Sequence, residues 1–179
     1  MTVPTLETPR LILTQNCQED WPLFLQLERD PDVLRYISDQ RSEEELRNRF
    51  ARRLPVWSKL SEQWLGLTVK EKKSGIKIGM HGFMPMWQPY RQAELGYSFL
   101  PDWHGHGYAS EATRAVIEFA FAICGFHKLT ATVTSGNNES VKLLQKVGFL
   151  QEGCLRDNFI IGGNWYDDLK FGLLERDRK

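Results

Sequence analysis

The chain has 179 residues with 23 basic and 23 acidic side chains, so its formal net charge is zero and a broad electrostatic surface for nucleic acid is excluded. With 41% apolar and 12% aromatic residues it can bury a sizeable core, and a single domain spanning residues 1–179 is expected. The longest apolar run, Ala115 to Phe126, contains Glu118 and is too short to span a bilayer, so no membrane association is expected.

The opening Met1-Thr2-Val3-Pro4 has neither a basic nor an apolar signal segment, so no signal peptide is expected. Arg10-Leu11-Ile12-Leu13 reads as a short first strand after Pro9. Glu19 to Arg29 reads as a helix that tolerates Pro22 in its first turn and stops at Asp30-Pro31. Ser42-x-x-Glu45 is a capping box, and Leu46, Phe50 and Leu54 form an apolar stripe behind it. The mixed charges around that stripe read as a solvated helix face. Trp64 to Lys70 and Ile76 to Met84 read as strands joined by a hairpin turn at Lys72-Lys73-Ser74-Gly75. Pro85 to Gln92, with Trp87, Pro89 and Tyr90, reads as an aromatic loop that either touches substrate or folds on its own rings.

Residues 94–100 alternate, with Leu95, Tyr97 and Phe99 pointing one way and Glu94, Gly96 and Ser98 the other. Pro101 ends that strand, and Gly105 and Gly107 bracket a turn that can set several backbone N–H groups in a row. From Tyr108 the period becomes helical, with Ala109, Ala112, Val116, Phe119, Ala120 and Ile123 on one face and Gly125 as the stop. A glycine loop feeding a helix N-terminus is an anion site, because the first helical N–H groups lack partners and the dipole is positive there. The bland alternative is an ordinary strand-to-helix turn. Leu129 to Thr134 alternates as a strand, Asn137 to Val147 reads as a helix capped at Gly148-Phe149, and the tail reads as two long strands joined at Gly162-Gly163. Cys17, Cys124 and Cys154 are odd in number and far apart, and read as free thiols of a reducing, cytoplasmic compartment.

His104-Gly105-His106-Gly107-Tyr108-Ala109 resembles the Gln/Arg-x-x-Gly-x-Gly/Ala loop of the GNAT superfamily of acyl-CoA-dependent N-acetyltransferases. Asn137-x-x-Ser140 followed by Lys146-Val147-Gly148-Phe149 resembles that superfamily's second motif, and the C-terminal hairpin resembles the branch of ribosomal-protein N-acetyltransferases. The resemblance implies an α/β fold with a mixed, mostly antiparallel sheet of about seven strands and helices on both faces. It implies acetyl-CoA as cosubstrate and a primary amine as acceptor, favouring a protein N-terminal α-amine. A small amine (polyamine, antibiotic or amino-acid derivative) is the alternative, and a non-catalytic acyl-CoA sensor a third reading. A monomer or homodimer is expected.

The same resemblance implies a set of site residues. Gly105, His106, Gly107, Tyr108, Ala109 and Ser110 would hold the pyrophosphate, with His104 at the Gln/Arg position. Backbone N–H groups of Phe99 and Leu100 would pair with the pantetheine arm and polarise the acetyl oxygen, with Asn137 near the arm and Lys146 near a phosphate or simply exposed. Leu144 stands where many members carry a tyrosine general acid. Ser140 is the hydroxyl left on that helix, as acid or as a helix cap. Glu94 is the candidate base, with a structural ion pair as its alternative, and His81 a second candidate. His104 and His106 lack a carboxylate or thiol partner nearby, so no metal site is expected.

Overall fold

The computed structural model describes residues 3–178. They build one eight-stranded sheet in the order β1-β2-β3-β4-β5-β6-β8-β7. The strands are β1 Leu6–Glu7, β2 Leu11–Gln15, β3 Leu65–Glu71, β4 Lys77–Met86, β5 Gln92–Phe99, β6 Lys128–Thr134, β7 Leu150–Ile161 and β8 Asn164–Leu174. The eighth, beyond the seven or so expected, is the two-residue β1. All neighbours are antiparallel except β5 and β6, which the helical crossover between them makes parallel.

Five α-helices cover the sheet: α1 Trp21–Leu27, α2 Pro31–Leu34, α3 Glu43–Ala51, α4 Tyr108–Glu118 and α5 Asn138–Lys146. On one face, α4 and α5 bury Ala112, Val116, Leu144 and Val147 against Leu95, Phe99, Leu129, Ala131 and Phe171. On the other, α1 and α3 bury Leu23, Phe24, Leu46 and Phe50 against Met80 and Leu100. Met80 pairs across with Ser98, so α1 and α3 lie on the face of β5 that carries Glu94 and Ser98.

Three expectations change. The helix read over Glu19 to Arg29 is a 3-10 turn at Gln18–Asp20 followed by the shorter α1. Asp30 does not end the helical region: its carboxylate accepts from Asp32 N (2.9 Å) and Val33 N (3.2 Å) and starts α2, with Pro31 at the first position, where a missing N–H costs nothing. Beyond Glu118 the chain widens into a π-helical stretch, Phe119–Ile123. The extra residue per turn rotates the buried face, so Phe121 is buried and Ile123, expected inside, is 54% exposed. The capping box at Ser42 and Glu45 forms as read. The turn after β3 is held by the Glu71 carboxylate, which accepts from Lys73 N and Ser74 N.

Candidate active site

The site follows from where β5 and β6 part. Their pairing runs from Gln92↔Lys128 to Leu95↔Ala131 and stops, while β6 stays paired to β8 as far as Thr134↔Asp168. Leu100 N donates to Ile78 O at 2.9 Å, so Leu100, Ser98 and Gly96 turn their backbone groups toward β4. Alternation then turns those of Tyr97 and Phe99 toward β6, which has moved away. The result is a cleft edged by the N–H groups of Tyr97 and Phe99. The Phe99 N–H therefore lies on the open edge, whereas that of Leu100, read as a second partner of the pantetheine arm, is spent on the sheet.

His104 Nε2 donates to Phe99 O at 2.8 Å. That bond fixes the tautomer and latches the glycine loop to the strand end. His104 N itself donates to Pro101 O. The next six N–H groups, from Gly105 to Ser110, have no acceptor among the described residues, and intrahelical bonding begins only with Glu111 N to Gly107 O at 3.0 Å. Gly105 (φ +76°) and Gly107 (φ +79°) take left-handed turns that line these donors up. A Cβ at Gly105 would meet nothing within 4 Å, and one at Gly107 only Arg10 Nη2 at 3.5 Å, so the backbone lies open on its outer side. The donor row, the start of α4 and the nearby Arg10 guanidinium suit a pyrophosphate.

Arg10 was not singled out in the sequence. Its Nη1 donates to His106 O at 3.0 Å and its guanidinium lies 4.3 Å above the Tyr108 ring. Its N and Nε both donate to the Glu111 carboxylate, which also accepts from Thr8 Oγ1 at 2.6 Å. An arginine opening a strand carries no local signal, because its partners lie about a hundred residues away in the chain.

On α5, Asn137 caps the helix, its Oδ1 accepting from Ser140 N at 3.2 Å. The Ser140 hydroxyl is therefore not the cap. It faces the sheet, 2.6 Å from Tyr97 Oη. Burial, against a weaker opposing effect of that hydrogen bond, pushes the Tyr97 phenol up to about 12. Leu144 is fully buried in the core and has no proton to offer. Lys146 is exposed at the last turn, and its carbonyl accepts from Arg114 of α4 at 2.9 Å.

His81 is 3% exposed and fully committed. Its Nδ1 accepts from Gly82 N at 2.7 Å, so Nε2 carries the proton and donates to Thr113 Oγ1 at 2.9 Å, which in turn donates to Ala109 O. Burial, only partly opposed by the Gly82 contact, brings its pKa down to about 3. It is a neutral tie between β4 and α4, not a base.

Glu94 is half-buried on the opposite face. Its Oε1 accepts from Thr132 Oγ1 at 2.7 Å, and Thr132 Oγ1 accepts from Lys170 Nζ at 2.9 Å. The direct ion pair weighed in the sequence becomes a cation relayed through a threonine. Oε2 has no partner among the described residues. The indole of Trp64 lies against Gly96, where a Cβ would come within 2.9 Å of it, and walls the same face.

The aromatic loop lies elsewhere. It precedes Gln92, at the end of β5 where β6 is still paired, and His127 N donates to Arg91 O there. Trp87 packs edge-on against Phe126 on the α4 face, under Lys59 Nζ at 4.0 Å. Trp87 therefore turns out of the loop onto Phe126, Tyr90 is 70% exposed, and the loop stands at the end of β5 away from the cleft, whereas one of the two sequence readings sets it against substrate.

Among the described residues no three His, Cys, Asp or Glu side chains converge to hold a metal ion. Among the same residues no helix is long and apolar enough to cross a membrane.

The family model for the acetyltransferase (GNAT) domain matches residues 10–150. The N-acetyltransferase p20 of Bacillus licheniformis is 31% identical over 97% of this chain and 97% of its own length. YdaF of Bacillus subtilis, provisionally named a ribosomal N-acetyltransferase, is 27% identical over 69% of this chain and 68% of its own. The crystal structure of a GNAT-family acetyltransferase from Bacillus anthracis superposes with a TM-score of 0.83 at 25% identity, over 97% of this chain and 99% of that one. A spermidine N-acetyltransferase from Vibrio cholerae, solved with CoA and spermine, has the same fold, with a TM-score of 0.81 at 21% identity over 95% and 98% of the two chains. The family match runs from Arg10, just before β2, through the glycine loop to the end of α5 and its cap, and the chain accordingly belongs to the GNAT family of acetyl-CoA-dependent N-acetyltransferases.

Proposed function

We propose that the chain acetylates protein N-terminal α-amines. The observation that carries this is the character of the base. Glu94 reaches the open face as a carboxylate already holding the Thr132 hydroxyl, with the Lys170 ammonium directly behind it. Such a group suits an amine that is partly neutral before it arrives. At pH 7 about a tenth of α-amines are neutral, against on the order of one in a thousand lysine side chains. The name given to YdaF supports the same reading.

In this reading the amine nitrogen attacks the acetyl carbon in the cleft. Its proton passes through Glu94, directly or by one water, to solvent. The N–H groups of Tyr97 and Phe99 face the carbonyl oxygen as charge builds there. The C–S bond breaks with its electron pair going to sulfur, and the Ser140 hydroxyl donates a hydrogen bond to the departing thiolate. The row from Gly105 to Ser110 holds the pyrophosphate, with Asn137 beside the arm and Lys146 able to reach a phosphate.

The structural likeness to the spermidine enzyme raises a polyamine acceptor as the other reading. The charges on the Glu94 face weigh against it. Arg41 and Arg49 share the single carboxylate of Glu28, and Lys170 stands beside Asp168 and Thr132. Glu28, Asp168 and Glu94 are each already paired with or relayed to a cation, so these carboxylates offer no surplus of negative charge to hold a polycation. Mass spectrometry on peptides bearing both a free N-terminus and an internal lysine, with spermidine in a parallel reaction, tests the proposal. The label is expected on the α-amine. Label mainly on lysine, or turnover of spermidine alone, would overturn it.

A further inference from the structure

The hydroxyls of Tyr97 and Ser140 are 2.6 Å apart, join β5 to the first turn of α5, and have no other hydrogen-bond partner among the described residues. Tyr97 also sends its backbone N–H into the cleft. Ser140 therefore lies within one tyrosine side chain of the open strand edge. The ring is held from behind by His81, whose centroid is 5.3 Å away at 35° and whose two nitrogens are pinned by Gly82 and Thr113.

We infer that Tyr97 is a positioning residue for acetyl transfer, acting through Ser140: its hydroxyl donates to Ser140 Oγ, and the serine proton is thereby aimed into the cleft at the leaving sulfur. This rests on the reading of Ser140 as the donor to the thiolate. The direction follows from acidity. A phenol is a stronger acid than an aliphatic alcohol, so the phenol is the better donor and the serine oxygen the better acceptor. A free serine hydroxyl has three rotamers and could turn away from sulfur. One that accepts from Tyr97 has lost that freedom. An accepted hydrogen bond also polarises the serine O–H and strengthens the bond it gives. The start of α5 adds a positive potential where the thiolate forms.

Tyr97 is not the proton source. With its phenol pushed up to about 12, against about 8.5 for a thiol, proton transfer from tyrosine through serine to sulfur is uphill by roughly 3000-fold. The proton that finally reaches sulfur is the one the amine released, exchanged through solvent, and Tyr97 and Ser140 both end the cycle unchanged.

The test is a double-mutant cycle on kcat, read as free thiol release at saturating acetyl-CoA. Ser140→Ala is expected to lose about 10- to 1000-fold, and Tyr97→Phe, which keeps the ring against His81, about 3- to 30-fold. Tyr97→Phe added to Ser140→Ala should cost nothing more, because its effect runs through the serine. Ser140→Thr, which restores a hydroxyl, should regain sensitivity to Tyr97→Phe. KM for acetyl-CoA should stay within about twofold in every variant, since a merely structural loss would loosen the loop and raise it. Full kcat in Tyr97→Phe, or single losses that multiply in the double variant, would overturn the role of Tyr97 while leaving Ser140 in place. Full kcat in Ser140→Ala would remove the serine reading, and the inference with it.

Discussion

Arg10 Nε and Glu111 Oε2 meet at 2.6 Å, and through them the strand β2 is fastened to the first turn of α4. Glu111 is 17% exposed and Arg10 43%. A lone pair of this exposure contributes little stability, but Arg10 also donates to His106 O, so the pair sets the shape of the glycine loop. Arg10→Ala should raise KM for acetyl-CoA about 10-fold, equivalent to about 1.4 kcal/mol, with little change in kcat. Steady-state kinetics at varied acetyl-CoA would check this, and an unchanged KM would show that the loop holds its shape without Arg10.

Glu111 also predicts a response to acid. Desolvation pushes its carboxyl up, but hydrogen bonds from Thr8 and from the Arg10 amide and guanidinium outweigh it, and the net position is below the usual carboxylate value. A carboxylate depressed on folding stabilises the protein above the unfolded pKa of about 4.3, and that stability is lost as pH falls through the folded value. Glu111→Gln should therefore lower the melting temperature at pH 7 and flatten its fall below about pH 4.3, read by thermal melts across pH.

His81 should cost stability in the same direction, over a window reaching to higher pH. It is neutral in the fold with a pKa of about 3, and an unfolded histidine binds a proton below about 6.5. Between these values the unfolded chain holds more protons, so stability should fall as pH falls through this window. His81→Asn should be less stable at pH 7 and should lose that slope. The kcat profile should show no ionisation that vanishes in His81→Asn; one that did would restore histidine as a base.

Gly107 combines an open outer side with a left-handed φ of +79°. Gly107→Val should weaken coenzyme A binding at least about 10-fold, by covering the N–H row. Holding a side chain left-handed costs about 1–2 kcal/mol, or about 2–8 °C in melting temperature for a chain this size. Calorimetry on the folded variant decides, and unchanged affinity would place the pyrophosphate elsewhere.

Leu144 lies on the inner face of α5 and is fully buried, so the position cannot simply receive a tyrosine. Leu144→Tyr should destabilise by about 1–3 kcal/mol through overpacking and should not raise kcat. A faster, equally stable variant would mean that α5 can turn this residue toward the cleft.

Much of the fold was legible along the chain, because local rules govern it. The alternation of Leu95, Tyr97 and Phe99, the capping box at Ser42 and the glycine pair before α4 each depend on residues a few positions apart, and each formed as read, whereas the cap of α5 fell to Asn137 and not to Ser140. The loop's donors were equally legible, since a helix start leaves its N–H groups free whatever surrounds it. Other features needed distant partners. The parting of β5 and β6, which makes the cleft, is a matter of register between strands joined by a helix. The spent N–H of Leu100 depends on Ile78, and the pairing of Ser140 with Tyr97 spans 43 positions. Arg10 finds Glu111 across 101 positions, and Trp87 turns onto Phe126 because apolar surface on the α4 side was there to cover it. Periodicity and turn chemistry act within one element, whereas which hydroxyl meets which, and which N–H remains free, is decided only when elements far apart in the chain compete for the same space and the same hydrogen bonds.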